Sequence, residues 1–100
     1  MSKAYLCTIM CYVYVLFSKK DSEFYVGYTN DLEKRIKEHK EGKSRAIMFR
    51  RPILLINYEA YLRWSDAKRR EKYLKGGNGR AQLKIQLQDI LREIKYKHQK

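Results

Sequence analysis

Cys11-Tyr12-Val13-Tyr14-Val15-Leu16-Phe17 and, after a polar interval, Phe24-Tyr25-Val26-Gly27-Tyr28 form the stretch whose reading decides the fold. β-branched, aromatic and aliphatic residues dominate both runs, which suits a pleated, buried surface better than an exposed helix. The apolar character begins at Tyr5 and is nearly unbroken to Phe17, as in a strand buried on both faces. Ser18-Lys19-Lys20-Asp21-Ser22-Glu23 reads as a turn, so the two runs pair most simply as an antiparallel hairpin. Gly27 weakens a strand interior unless backbone or a ligand must approach closely there.

Downstream of the hairpin, Asn30 is placed to cap a helix whose third residue, Glu33, reaches back as in a capping box, and Gly42 is a natural stop. Ile53 to Tyr61 reads as a third strand, with Pro52 ahead of it where no ladder donor is needed. A second helix follows, capped by Ser65, with Asp66 suited to its positive N-terminal end and Gly76-Gly77 closing it. Leu83, Leu87, Ile90, Leu91 and Ile94 recur at helical spacing and predict one last helix from Arg80 to Tyr96. The expected class is α/β of the α+β type: a small three-stranded antiparallel sheet flanked by helices, in the order β-β-α-β-α-α. One hundred residues cannot be divided into two stable cores, so residues 1–100 are expected to be a single domain.

With 44% hydrophobic and 13% aromatic residues, the composition is that of a folded chain and excludes a disordered basic tail. A formal net charge of +12 costs self-repulsion and favours a polyanionic partner, nucleic acid first. Its bland alternative is a solvated surface or a basic ribosome-coating protein. The opening apolar run lacks a basic start and a small-residue cleavage site, and Ser18, Lys19 and Lys20 interrupt it before it could span a bilayer. A cytoplasmic, nucleoid-associated protein is therefore expected. Cys7 and Cys11 on a strand would stand about 13 Å apart, beyond disulfide reach, and both read as reduced core residues. With His39 and His98 as the only imidazoles and no Cys-x-x-Cys pair, a zinc site is not expected.

Three features are out of place for a purely structural domain. Leu32, Arg35, Ile36 and His39 share one helix face, so Arg35 and His39 border a buried stripe. Alone, Arg35 would read as a side chain whose stem covers apolar surface. Ala67, Arg70, Glu71 and Leu74 likewise share a face, placing Glu71 among residues that should dock on the sheet, where an unpaired carboxylate costs several kcal/mol. An ion pair with an arginine would be the ordinary explanation. The third is the abundance of tyrosine, nine in all, with Tyr12, Tyr14, Tyr25 and Tyr28 on the one hairpin. Buried phenols seek hydrogen-bond partners, and four together would supply hydroxyls to whatever that hairpin binds.

Tyr12-Val13-Tyr14, Tyr25-Val26-Gly27 eleven residues after Tyr14, Tyr28-Thr29-Asn30-Asp31-Leu32 with Arg35 and His39, and the later Ala67 to Lys75 segment with Glu71 together resemble the GIY-YIG nuclease superfamily. The likeness spans about Tyr12 to Leu83 and is strongest to small stand-alone bacterial members, similar to the nuclease domain of the excision-repair incision subunit. It implies a metal-dependent endonuclease acting on DNA phosphodiester bonds, linked to repair or recombination, with Mg²⁺ or Mn²⁺ as cofactor. By the same resemblance Glu71 holds the metal, Arg35 contacts the scissile phosphate, Tyr14 and Tyr25 line the attacking water, and His39 stands where the family has a histidine or tyrosine. Tyr12 departs from the family's glycine, and Tyr28 occupies a place where some relatives carry lysine.

The cations Lys68, Arg69, Arg70, Lys72 and Lys75, the loop Gly76-Gly77-Asn78-Gly79-Arg80 and Tyr28 are expected to hold a nucleic-acid backbone without reading bases. RNA presents the same phosphates as DNA. So small a surface leaves room for a protein partner that supplies specificity. The competing expectation is a DNA- or RNA-binding module on the same fold that does not cut.

Overall fold

Val13, Val15 and Phe17 fall on one face of the central strand β1 (Cys11–Ser18) and Tyr14 and Leu16 on the other, and all five are buried. The structure, a computed structural model, describes residues 10–99, with side chains to residue 94. Tyr5, Cys7 and the side chains of Tyr96 and His98 lie outside the described residues. β1 is buried on both faces because helices cover both sides of the sheet. β2 (Phe24–Thr29) pairs antiparallel with β1, and Tyr14 stands opposite Gly27. β3 (Ile53–Tyr61) pairs antiparallel along the other edge of β1, giving the order β2-β1-β3. Val15 pairs with Asn57 and Leu16 with Leu55, so β3 accommodates one additional residue, Ile56, at an irregularity.

Helix α1 (Leu32–Lys40) covers the Tyr14 face, where Ile36 joins Tyr14, Leu16, Ile47 and Ile53 in a small cluster. Helices α2 (Trp64–Lys75), α3 (Gly77–Gln86) and α4 (Gln88–Gln99) cover the opposite face, where Ala67, Leu74, Leu83 and Ile94 pack against Val13, Val15, Phe17 and Val26. The element order expected from the sequence is present, with three differences of detail.

The cap of α1 is Asp31 rather than Asn30. Asp31 Oδ1 accepts from the Lys34 amide at 3.2 Å, and its own amide donates to Thr29 Oγ1 at 3.0 Å, so the last strand residue fixes the capping side chain. Ser65 does not cap α2, because the helix begins at Trp64 and Ser65 already lies inside it; the capping position is Arg63, whose side chain does not bond the free helix amides. The last helix is two helices. Leu87 has left helical geometry (φ −105°, ψ 24°), and the expected loop from Gly77 to Arg80 is the first turn of α3. Gly79 permits that immediate reversal: a Cβ there would strike the Tyr73 carbonyl oxygen and come within 2.5 Å of Leu74 Cα. Among the described residues no helix is long and apolar enough to cross a membrane.

Candidate active site

The ring of Tyr14 lies across Gly27 on the α1 face, so closely that a Cβ at Gly27 would collide with the phenol oxygen. The close approach expected at Gly27 is present, but the approaching group is a side chain of the neighbouring strand and neither backbone nor ligand. Tyr14 is 1% exposed, and its hydroxyl is 2.7 Å from Nε2 of His39, which is completely buried. The helix face that puts Leu32, Ile36 and His39 together against the sheet explains the contact: His39 is the position after Ile36 that returns to that face. Tyr25 packs its ring on both partners, with centroids 6.3 Å from Tyr14 and 5.5 Å from His39.

Burial raises the Tyr14 phenol; the neighbouring Arg35 guanidinium opposes it, Tyr25 and Glu71 add to it, and the result is about 12. Burial and then Arg35 push the His39 imidazole down to about 4, against a weaker opposing pull from Glu38. Near neutrality both groups are uncharged, so one donates and the other accepts in the bond between them. His39 Nδ1 is buried without a protein partner. Arg35 also donates through Nη1 to Glu38 Oε1 at 3.1 Å, which steadies the guanidinium beside Tyr14.

Glu71 belongs to the opposite face. It is only 7% exposed, as the helix periodicity implies, and its partners are lysines rather than the arginine expected of an ordinary ion pair. Lys68 Nζ is 2.8 Å from Oε1 and Lys75 Nζ is 3.0 Å from Oε2, one turn away in each direction. Burial disfavours the charged carboxylate, but the two ammonium groups outweigh it and hold the carboxyl below its usual value. Lys68 also lies over the Tyr28 ring, 5.0 Å from its centroid. The Cys11 thiol and burial keep the Tyr28 phenol at about 12, with Glu71 contributing.

Arg35 and Glu71 thus approach the β1–β2 hairpin from different faces of the sheet. Their common neighbour is Tyr14, whose ionisation both charges affect. Among the described residues no hydrogen bond links Glu71 to Tyr14 or Arg35, so the connection is electrostatic.

A model of the GIY-YIG catalytic domain matches residues 10–84. The chain belongs to the GIY-YIG family. It is 35% identical over 88 residues to a UPF0213 protein of Clostridium perfringens, covering 87% of this chain and 94% of that one. It is 44% identical over 57 residues to the UPF0213 protein YazA of Bacillus subtilis, a match that spans 56% of this chain and 58% of that relative's length. A solution NMR structure of a UPF0213 protein from Bacillus halodurans is 35% identical, covers 74% of this chain and 81% of that one, and superposes with a TM-score of 0.48.

The remaining basic residues of this GIY-YIG domain divide into engaged and open groups. Arg70 donates from Nε and Nη2 to the two oxygens of Glu59 at 2.9 and 3.1 Å, and Glu59 also accepts from Tyr61 Oη at 2.7 Å. Arg69 is tied to Asp66 at 2.9 Å. Lys72 is exposed on α2, and Arg80 is half-buried in the first turn of α3. The pairing of Glu71 with Lys68 and Lys75 was readable from their i,i+3 and i,i+4 spacing. The Tyr14–His39 bond needed the hairpin register, which no local pattern displays.

Proposed function

We propose that the chain is an endonuclease that hydrolyses phosphodiester bonds in DNA with one bound Mg²⁺ or Mn²⁺, selects DNA by structure, and serves repair or recombination on the cytoplasmic nucleoid. The observation that supports this reading best is the surrounding of the Tyr14 hydroxyl, with an imidazole bonded to it, a guanidinium beside it and the Glu71 charge acting on it. Phosphodiester hydrolysis needs an outlet for the proton of the attacking water, neutralisation of the nonbridging oxygens and help for the leaving oxygen.

Arg35 supplies a delocalised cation suited to gripping two phosphate oxygens. A phenol held at about 12 is a poor base by itself near neutrality. His39 orients the phenol rather than taking its proton: in the tautomer that keeps its proton on Nδ1, Nε2 accepts from the Tyr14 hydroxyl and leaves the phenol oxygen's lone pairs to the attacking water. With the imidazole itself held at about 4, a phenolate that accepts the water's proton would have to be stabilised by Arg35 and the bound cation. Tyr25 walls the same place, its ring against both members of the pair.

Glu71 offers a hard divalent ion one carboxylate held in its ionised form. Both of its oxygens are bonded to lysines, which would have to give way to the ion. Magnesium characteristically takes one or two carboxylates and keeps its other positions for water and substrate phosphate. Glu71 would hold the ion, which when bound supplies charge stabilisation at the leaving oxygen. Lys68 and Lys75, freed from Glu71, turn to the nucleic-acid backbone together with Lys72, Arg80 and Tyr28. Arg69 and Arg70 join them only as far as Asp66 and Glu59 release them. Affinity then falls steeply with salt. The same contacts would accept RNA, and a protein partner would supply any further selectivity.

A Mg²⁺-dependent nicking assay on a panel of labelled DNA structures tests the proposal. Glu71→Gln is expected to lower cleavage by at least about 10³-fold with affinity nearly unchanged. Arg35→Ala should lose about 10²- to 10³-fold in turnover with modest weakening of binding. Cleavage by Glu71→Gln at the wild-type rate would refute the assignment. The occupation of both Glu71 oxygens by lysines favours one alternative, a module that binds nucleic acid without cutting it. Binding that persists with no cleavage under any divalent ion would select that alternative.

A further inference from the structure

Beyond the C-terminal end of α1, the sheet face that carries Tyr14 opens into a cleft of about 580 Å³ walled by Lys20, Lys40, Phe49 and Arg51 over Met48 and Ile53. Phe49 is 73% exposed there. Its ring contributes little to the core, yet its backbone is pinned with unusual thoroughness. Three consecutive carbonyls each accept from a side chain: Met48 from Arg51 Nε at 3.3 Å, Phe49 from Lys20 Nζ at 3.0 Å, and Arg50 from Ser18 Oγ at 2.7 Å. Arg51 Nη1 also donates to the Lys40 carbonyl at 3.3 Å, and Arg50 Nε to Asp21 at 2.9 Å, tying the segment to α1 and to the hairpin turn. The exposed phenyl ring is therefore held on a fixed support, with the exposed cations Lys20 and Lys40 lining the same cleft.

A rigid aromatic face surrounded by cations is how single-stranded nucleic acid is held: bases stack on the ring while the charges follow the phosphates. We propose that this cleft receives an unpaired nucleobase of the substrate, stacked on Phe49, with the neighbouring phosphates against Lys20 and Lys40. The inference rests on the nucleic-acid reading above and deepens it. A base inside a duplex cannot offer its face to Phe49, so the site selects overhangs, flaps and branch points over continuous duplex. Ile53, at the floor of the cleft, pairs with Ser18, four residues along β1 from Tyr14. That separation is about 13 Å, on the order of four nucleotide steps of about 3.4 Å. The stacked base is accordingly expected a few nucleotides from the phosphate at Tyr14.

Binding in the presence of a chelator isolates this site from cleavage. The chain has one tryptophan, so Phe49→Trp in a Trp64→Phe background reports on the cleft alone. Its fluorescence should be quenched to saturation by an oligothymidylate and little affected by a covalently closed circular duplex, which has neither loop nor ends. Phe49→Ala, which a thermal melt should show folded because the ring is exposed, is expected to bind the oligothymidylate about tenfold more weakly, the loss of one stacked base. Its duplex affinity should stay at the wild-type value. Equal oligothymidylate affinity in wild type and Phe49→Ala, or equal quenching by duplex, would overturn the proposal. Phe49-dependent binding without any metal-dependent cleavage would retain this inference and remove the nuclease reading. Cleavage with no Phe49 effect would do the reverse.

Discussion

Among the described residues, ten buried ones gather beneath and within α2, α3 and α4, whereas α1 covers a cluster of five, one of them Tyr14, with His39 bonded to it. The first side is continuous hydrocarbon and sulfur from Cys11 to Ile94. The second gives up apolar packing to a phenol, an imidazole and a neighbouring guanidinium, and leaves one buried nitrogen unpartnered. Burying polar groups incompletely is destabilising, and it persists where the rest of the molecule is stable enough to hold it. One face of this sheet is packed almost wholly with apolar side chains, while the other holds a bonded phenol and imidazole with a guanidinium beside them. Glu71 is the exception, a polar residue placed on the packing side.

Substitutions that separate the faces sharpen this contrast. The largest effect is expected from Tyr14→Phe, which removes the hydroxyl and leaves His39 Nε2 unpaired as well: cleavage should fall by about 10²- to 10⁴-fold, with a stability loss of about 1–3 kcal/mol in denaturant titration. Leu74→Ala, on the packing face and completely buried, should cost about 3 kcal/mol of stability, with no comparable loss of single-turnover cleavage once the protein is folded. Equal catalytic damage from both would erase the distinction.

His39 supplies a pH signature confined to the α1 face. Its folded pKa of about 4 lies below the ordinary 6.5, so the unfolded chain binds the proton first as the pH falls. Its contribution is fully present above about pH 6.5 and is lost progressively down to about pH 4, on the order of 3 kcal/mol. Chemical denaturation across that range should show this loss in wild type and not in His39→Gln. The carboxyls of Glu59 and Glu71, held below 4.5, act further into acid and cannot imitate it. The smallest effect, about 1 kcal/mol, is expected for Asp31→Ala, which removes the cap that starts α1.

The strands and their order were legible because Cys11–Phe17, Phe24–Tyr28 and Ile53–Tyr61 combine β-favouring residues with unmistakable turns. The burial of Glu71 and His39 was legible from helical spacing; the resemblance to a nuclease family named Tyr14 and Arg35 with them, and the structure bonds Tyr14 to His39 while Glu71 pairs with lysines on the other face. The break at Leu87 was hidden because Leu83, Leu87, Ile90 and Leu91 keep helical spacing on both sides of it, so the apolar pattern survives while the backbone does not. Asn30 and Asp31 are both good caps in isolation, and Thr29 decides between them only once the strand end is in place. The Phe49 platform was invisible for a different reason: its rigidity comes from Lys20, Ser18 and Arg51, brought together by the fold and unconnected by any local motif.

In the proposed nuclease, groups from both faces of the sheet meet around one divalent ion beside Tyr14. Paramagnetic broadening of amide resonances by substoichiometric Mn²⁺ is the sharpest test of that meeting. Selective broadening is expected at Lys68, Glu71, Tyr28 and Tyr14, and should disappear in Glu71→Gln. Broadening centred elsewhere, or unchanged in Glu71→Gln, would contradict it.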